Sequence, residues 1–185
     1  MNGSQAIVAM CHGSPFNTSA VAKLVKSEIF SEYHIRYDIA IHYSEDALLY
    51  YMLFKHADKI TYCSTPFYKY FANPHSITRT TDLTEKVKTC FLAYDKMLSM
   101  ETSKRIRLCL LSRVVMEAFF KLIYCIEKQD YHSDAYQYLR SILKRNLLYL
   151  VFDRRCKFTY KASCVMIVFP KLFRVLYSIY TTKKT

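Results

Sequence analysis

Between residues 43 and 80 the sequence runs YSEDALLYYMLFKHADKITYCSTPFYKYFANPHSITRT, and the spacing of its apolar positions changes along the way. Leu48, Leu49, Met52, Leu53 and Ala57 recur at three- and four-residue steps, which predicts an amphipathic helix. Ser44 stands where a hydroxyl can accept from an unpaired N–H of the first turn, and Glu45 and Asp46 suit the positive end of the helix dipole. Beyond it, 59–64 (KITYCS) is short and rich in β-formers. After Pro66, aromatics alternate around Lys69 as Phe67, Tyr68, Tyr70 and Phe71, and both pieces read as strands. Asn73-Pro74 signals a turn, and Ser76-Ile77-Thr78 reads as the chain re-entering order. Ahead of this stretch, the apolar run 6–11 before His12-Gly13-Ser14-Pro15 reads as a strand entering a turn, and 17–32 as a helix or helical turn.

After Thr80 the period is helical throughout. Asp82 or Thr84 can cap a helix running to about Met100, with Val87, Phe91, Tyr94 and Leu98 on one face. Glu101-Thr102-Ser103 breaks it. A longer helix from Lys104 to about Lys128 carries one polar stripe, Arg113, Glu117 and Lys121, and is otherwise nearly all apolar, the mark of a helix buried against several partners. Gln129-Asp130 ends it, and Ser133 or Asp134 opens a third helix to about Tyr149. Short links between three helices predict a small antiparallel bundle. The last stretch contains Pro170, which disfavours helix at Phe169. Beyond it Lys171, Arg174 and Ser178 share a face opposite Leu172, Phe173, Val175, Leu176, Ile179 and Tyr180. This is the pattern of a helix lying in a membrane interface, or of a C-terminal helix docked on the bundle. The uncharged apolar piece 162–170 is too short to span a bilayer, which takes about 20 residues.

Composition sharpens these readings. Only two Gly and four Pro in 185 residues argue for long helices and against a disordered chain. The seven Cys are scattered, with no C-x-x-C, which points to reduced thiols in a cytosol rather than a disulfide framework or zinc site. Residues 1–5 are polar and 6–10 too short for the core of a signal peptide, so none is read. The net charge of +12 calls for a polyanionic neighbour. From Arg154 onward there are eight Lys and Arg and no Asp or Glu, so the excess sits in an apolar tail and favours an anionic membrane surface. Aromatics alternating with lysine also occur on nucleic-acid platforms. Here they lie beside a turn without RNP-like glycines, so sheet packing or sugar stacking is read instead, and no nucleic-acid partner.

The order Glu-Asp, amphipathic helix, Lys-Ile strand, Pro-aromatic-Tyr strand and Ser-Ile-Thr resembles the second half of the catalytic domain of family 2 glycosyltransferases. These are GT-A-fold enzymes that build bacterial capsules, exopolysaccharides and lipopolysaccharide cores. Upstream, Ala22-Lys23-Leu24-Val25-Lys26 through Phe30, then Ile35-Arg36-Tyr37-Asp38, resemble the family's "aromatic, small, Lys-Leu, aromatic, Lys" and "Ile-Arg-Phe-Asp" segments. Val21 stands where the family usually has an aromatic residue, and Phe71 where an Arg is common.

The resemblance implies an α/β chain, helix-dominated overall. Residues 1–80 would form the acceptor-side half of a GT-A-like domain, 81–152 a helical bundle, and 153–185 a basic membrane-associated tail. It implies an inverting sugar transfer from a nucleotide-sugar donor to a growing polysaccharide or lipid-linked acceptor, peripheral at the cytoplasmic face of the plasma membrane. Asp46 would be the general base. Glu45, one residue away and so about 100° round the helix, would stay near the helix N-terminus or orient a neighbour. By residue chemistry alone both carboxylates read as complementing the helix dipole. Lys23, Tyr70 and Ser76 are further candidate contacts to acceptor or donor. By residue chemistry, Lys23, like Lys26, reads as part of a solvated face rather than as a ligand contact. His12 reads either as such a contact or as a turn histidine. The complete enzymes use a divalent metal, Mg or Mn, held by an Asp-x-Asp motif. That motif occurs nowhere in this sequence, and neither does a Gly-rich phosphate loop. A non-catalytic, membrane-associated helical module derived from such a transferase is the alternative.

Overall fold

A computed structural model describes residues 1–71, 73, 82–146, 161 and 163–182. Pro74 of the predicted turn and the whole Ser76-Ile77-Thr78 segment lie outside the described residues. So do both expected domain boundaries, near 80 and 152. The described residues form eight helices: α1 (Gly3–His12), α2 (Ser27–Glu32), α3 (Glu45–His56), α4 (Leu83–Met100), α5 (Lys104–Glu127), α6 (Asp134–Arg145), α7 (Ser163–Val168) and α8 (Pro170–Thr182). They cluster into two compact units, Met1–Leu111 and Ser112–Thr185, divided within α5.

The expected α/β half-domain is not what forms: among the described residues there is no strand and no sheet. Residues 3–12 are helix because local caps decide a run whose apolar spacing fits either structure. Asn2 accepts from the Gln5 N–H at 2.9 Å, and the Gln5 side chain accepts from the Asn2 N–H at 2.9 Å, a complete capping box. Gly13 closes the helix in the left-handed region at φ 70°, where glycine carries no Cβ penalty. Ala6, Ile7, Met10 and Cys11 then share one buried face. Without a neighbouring strand, the β-forming residues 59–71 stay irregular, since β-propensity reflects fit to a pleated, half-buried surface rather than a backbone preference. Ile60 exchanges two backbone hydrogen bonds with Met1, at 2.7 and 2.8 Å. Phe67, Tyr68, Tyr70 and Phe71 are exposed. The helix expected over 17–32 shrinks to α2, with 17–26 irregular.

In the first unit α3 is central, packed on α1, α2 and α4. Seven of its twelve residues are buried, from Ala47 to Phe54, because three neighbours cover most of its circumference. Gly3 lets α1 approach closely, since a Cβ there would lie 1.8 Å from the Phe54 carbonyl oxygen. Glu101, 5 % exposed, ties α3 to the α4–α5 link. It accepts from the Tyr51 hydroxyl at 2.9 Å and the Ser103 N–H at 2.8 Å, and Lys55 lies 3.8 Å away. The α4 cap is as expected, with Asp82 accepting from the Thr84 and Glu85 N–H groups at 2.7 and 3.4 Å.

In the second unit the 112–127 portion of α5 buries Val114, Val115, Ala118, Phe119, Leu122, Ile123, Cys125 and Ile126. The polar stripe closes on itself: Glu117 pairs with Arg113 at 2.8 Å and with Lys121. Burial opposes the Glu117 charge, but Lys121 and Arg113 outweigh it and hold the carboxyl below its usual range. Ser133 caps α6 by accepting from the Tyr136 N–H at 3.2 Å. Arg140 of α6 forks onto the Ile167 carbonyl of α7 at 3.0 and 2.9 Å. α7 packs on α6 and on α8. The break expected before Pro170 falls at Phe169, leaving Pro170 at the first helical position, where its missing N–H costs nothing. No described helix is long and apolar enough to cross a membrane.

Candidate functional site

Asp46 lies in the first turn of α3, partly buried, and the chain converges on it from three places. The irregular segment 17–26 brings the Ala20 N–H to one carboxylate oxygen, Oδ2, at 3.0 Å. The segment after α2 brings the Tyr37 hydroxyl to the other, Oδ1, at 3.2 Å. Tyr50, one helical turn further along α3, sits near enough for the Asp46 charge to act on it, as i, i+4 spacing requires. Lys23 lies over the Tyr50 ring, its Nζ 4.9 Å from the centroid, and donates to the Ser19 carbonyl.

The electrostatics follow from this packing. Burial pushes the Tyr37 hydroxyl up to about 12, with the Asp46 charge and hydrogen bond adding to it. Burial, then Asp46, raises Tyr50. Lys23 is lowered by burial, which Asp46 opposes. Burial raises Glu45, partly buried beside the cluster, and the adjacent Asp46 contributes. Two non-glycine residues near the cluster hold positive φ, Ala22 at 58° and Ser44 at 64°. Such left-handed conformations cost roughly 1–2 kcal/mol each and persist only where surrounding contacts fix them. At Ser44 the expected cap is replaced: the side chain makes no cap bond, and its hydroxyl donates to the Cys90 sulfur at 3.2 Å.

Of the expected residues, Asp46, Glu45 and Lys23 therefore come together. His12, in the last turn of α1, and Tyr70 are exposed, and no hydrogen bond, ion pair or ring contact links either to Asp46. Ser76 lies outside the described residues. Lys26 is exposed at the start of α2. The Ile35-Arg36-Tyr37-Asp38 segment divides its work. Ile35 is buried, Arg36 donates to the Phe30 and Ile35 carbonyls at 3.0 and 2.7 Å, Tyr37 reaches Asp46, and Asp38 pairs with Lys96 of α4. A cleft of about 340 Å³ opens at Arg36, Asp38 and Lys96.

Tyr37 and Tyr50 were not picked out from the sequence as site residues. The spacing from Asp46 to Tyr50 was the available signal for the second. The Ala20 backbone donor leaves no trace in the side-chain pattern. The resemblance implies a divalent metal, but the groups around Asp46 are a lysine, two phenols and one further carboxylate. Among the described residues no three His, Cys, Asp or Glu side chains gather to hold an ion. No step is assigned to a metal here.

The site is thus a partly buried carboxylate with two phenols and an ammonium around it. A carboxylate offers about four acceptor positions, of which the protein fills two. Comparison with protein-family models, with curated proteins and with solved structures finds no match for this chain.

Proposed function

We propose that this protein works on the acceptor side of glycosyl transfer, as the family 2 resemblance implies, with Asp46 as the base that receives the acceptor hydroxyl proton. One observation carries the reading. Three separate stretches of the resemblance, at Lys23, Tyr37 and Asp46, meet around one carboxylate. In the transfer, the acceptor oxygen attacks the anomeric carbon, its proton passes to Asp46, and the nucleotide diphosphate leaves with the bonding electrons. A positioned base contributes typically ~10²–10⁴-fold. Lys23 supplies a cation beside the carboxylate, held over the buried Tyr50 ring. Because the sequence lacks Asp-x-Asp, we expect the chain by itself to release no nucleotide diphosphate from sugar nucleotides. The place of action we propose is the inner face of the plasma membrane. It is supported by α8, whose Leu172, Val175, Leu176, Ile179 and Tyr180 are all about half exposed beside Lys171 and Arg174.

The test is saturation-transfer NMR of the purified protein with a panel of oligosaccharides and short-chain lipid-linked glycans. Binding that Asp46→Asn and Lys23→Ala each weaken, with the fold intact by circular dichroism, is the expected result. Absence of any Asp46-dependent glycan signal would overturn it. A second reading, a membrane-associated module without catalysis, is favoured by the fact that both Asp46 oxygens already accept hydrogen bonds from the protein. Under that reading Asp46→Asn lowers stability and leaves glycan binding unchanged.

A further inference from the structure

α8 presents three stripes. Phe173 is buried, meets Phe119 edge-on at 6.5 Å between ring centroids and stacks on Tyr177 at 5.7 Å, so this stripe docks the helix. A second, exposed stripe is apolar: Leu172, Val175, Leu176, Ile179 and Tyr180, continuous with exposed Val168 and Phe169. The third is Lys171, Arg174 and Ser178, brought together by three- and four-residue spacing. Against this third stripe lies the α5–α6 link, and between them runs a groove of about 560 Å³. Its lining includes Lys171, Arg174 and Ser178 along one side of α8, and Gln129 and Tyr131 of the link. Val175 and Ile179 continue it towards the apolar stripe.

We infer that this groove seats the phosphate headgroup of an anionic membrane phospholipid, with the acyl chains leaving along Val175 and Ile179 into the bilayer. The inference rests on the membrane association proposed above and gives it a specific recognition site. Several features support a lipid occupant. Among the described residues neither Lys171 nor Arg174 is within ion-pair distance of a carboxylate. The neighbouring acid, Asp130, accepts from the Ser133 N–H at 3.1 Å. No Asp or Glu follows Asp153 in the sequence, so the α8 segment carries no anion of its own. Lys171, in the first helical turn, also opposes the helix dipole, so its charge does not serve the helix. An arginine fork and a lysine with hydroxyl and amide groups nearby match the oxygens of a phosphodiester. A free phosphate would satisfy that end alone. The exposed apolar stripe beginning at Val175 and Ile179 requires a ligand that is also apolar, and a bilayer supplies both.

The experiment is co-flotation of the full chain with vesicles of phosphatidylcholine alone and with added phosphatidylglycerol. Four proteins are compared: wild type, Lys171→Ala/Arg174→Ala, Tyr131→Phe and Gln129→Asn. The last two change no charge, Tyr131→Phe keeps the ring against Tyr136, and asparagine tolerates the positive φ of residue 129. The wild type is expected to float with phosphatidylglycerol vesicles. The double variant should bind roughly 30-fold more weakly, from about 1 kcal/mol per cation. Each neutral variant should lose about threefold or more from one lost charge-assisted hydrogen bond. Equal binding by wild type and both neutral variants would mean diffuse adsorption, overturning the headgroup site while leaving membrane association standing. Failure of the wild type to float would overturn both. A third arm measures protection of Lys171 from acylation. If inorganic phosphate, at ionic strength matched with chloride, protects it as well as vesicles do, the site is for a free anion and the lipid assignment falls.

Discussion

α3 and α8 are nearly equal in length, at twelve and thirteen residues, and both are rich in bulky apolar side chains. Their fates differ. α3 buries seven residues against three helices, whereas in α8 Phe173 is buried and most of the other bulky residues up to Tyr180 stand exposed. Charge placement follows the same division. Glu45 and Asp46 open α3 and Lys55 and His56 close it, each sign at the dipole end that favours it. α8 lacks this arrangement, with Lys171 and no acidic residue in its first turn. Apolar content alone therefore does not decide burial.

If that contrast is right, the largest effects on stability come from the neighbours of α3. Glu101→Ala removes the acceptor of the buried Tyr51 hydroxyl and the Ser103 N–H and the partner of Lys55. Breaking such a buried arrangement should cost about 3 kcal/mol in urea unfolding. A change below about 0.5 kcal/mol would mean that α3 is not anchored there. Next comes Gly3→Ala, whose Cβ meets the Phe54 carbonyl and forces α1 away from α3, at about 2 kcal/mol by the same measurement.

How much of this contrast the sequence disclosed depends on whether the information was local. The limits of α3, α4, α5 and the start of α6 are legible because apolar periods lie within each segment, helped at α4 and α6 by the local caps Asp82 and Ser133. The 6–11 run reads as a strand because its apolar spacing suits strand and helix alike, and the Asn2–Gln5 capping box preceding it decides for helix. Residues 59–71 were misread because a strand exists only through a partner, and the one pairing seen, Ile60 with Met1, spans 59 positions. In the candidate site, Asp46 stood out by its helix-start position and the family resemblance. Its donors Tyr37 and Ala20 come from 9 and 26 positions away, one of them a backbone N–H that no side-chain pattern marks.

Tyr37 offers a finer probe of the first region. Its hydroxyl is raised to about 12 by burial and then by Asp46, from an ordinary value near 10. A raised folded value favours the neutral phenol, so its contribution to stability is fully present below pH 10 and is lost as pH climbs through about 12. The ring is half exposed, so solvent screening keeps that contribution small. The phenolate absorbance of wild type minus that of Tyr37→Phe should titrate near the raised value. Asp46→Asn should move the midpoint only part of the way back, because burial is the larger cause. A difference titrating in the ordinary tyrosine range would detach Tyr37 from Asp46.

The smallest expected effect on stability is also the sharpest test of the comparison. Leu176 lies on the exposed apolar stripe of α8 and is 52 % exposed, so truncating it empties no cavity. Leu176→Ala should therefore change unfolding free energy by no more than about 0.5 kcal/mol, as for other surface substitutions. The same side chain, if it enters a bilayer, loses that burial on truncation: about 0.8 kcal/mol per CH₂, or roughly tenfold or more in partition over the three carbons removed. Leu49→Ala in α3 is the mirror case, with a buried side chain whose loss should cost about 3 kcal/mol and leave flotation unaltered. Urea unfolding and vesicle flotation of the two variants thus give opposite patterns if the regions differ as described. Should Leu176→Ala destabilise the protein as much as Leu49→Ala does, α8 is packed into the fold rather than turned outward. The contrast between the two helices would then disappear.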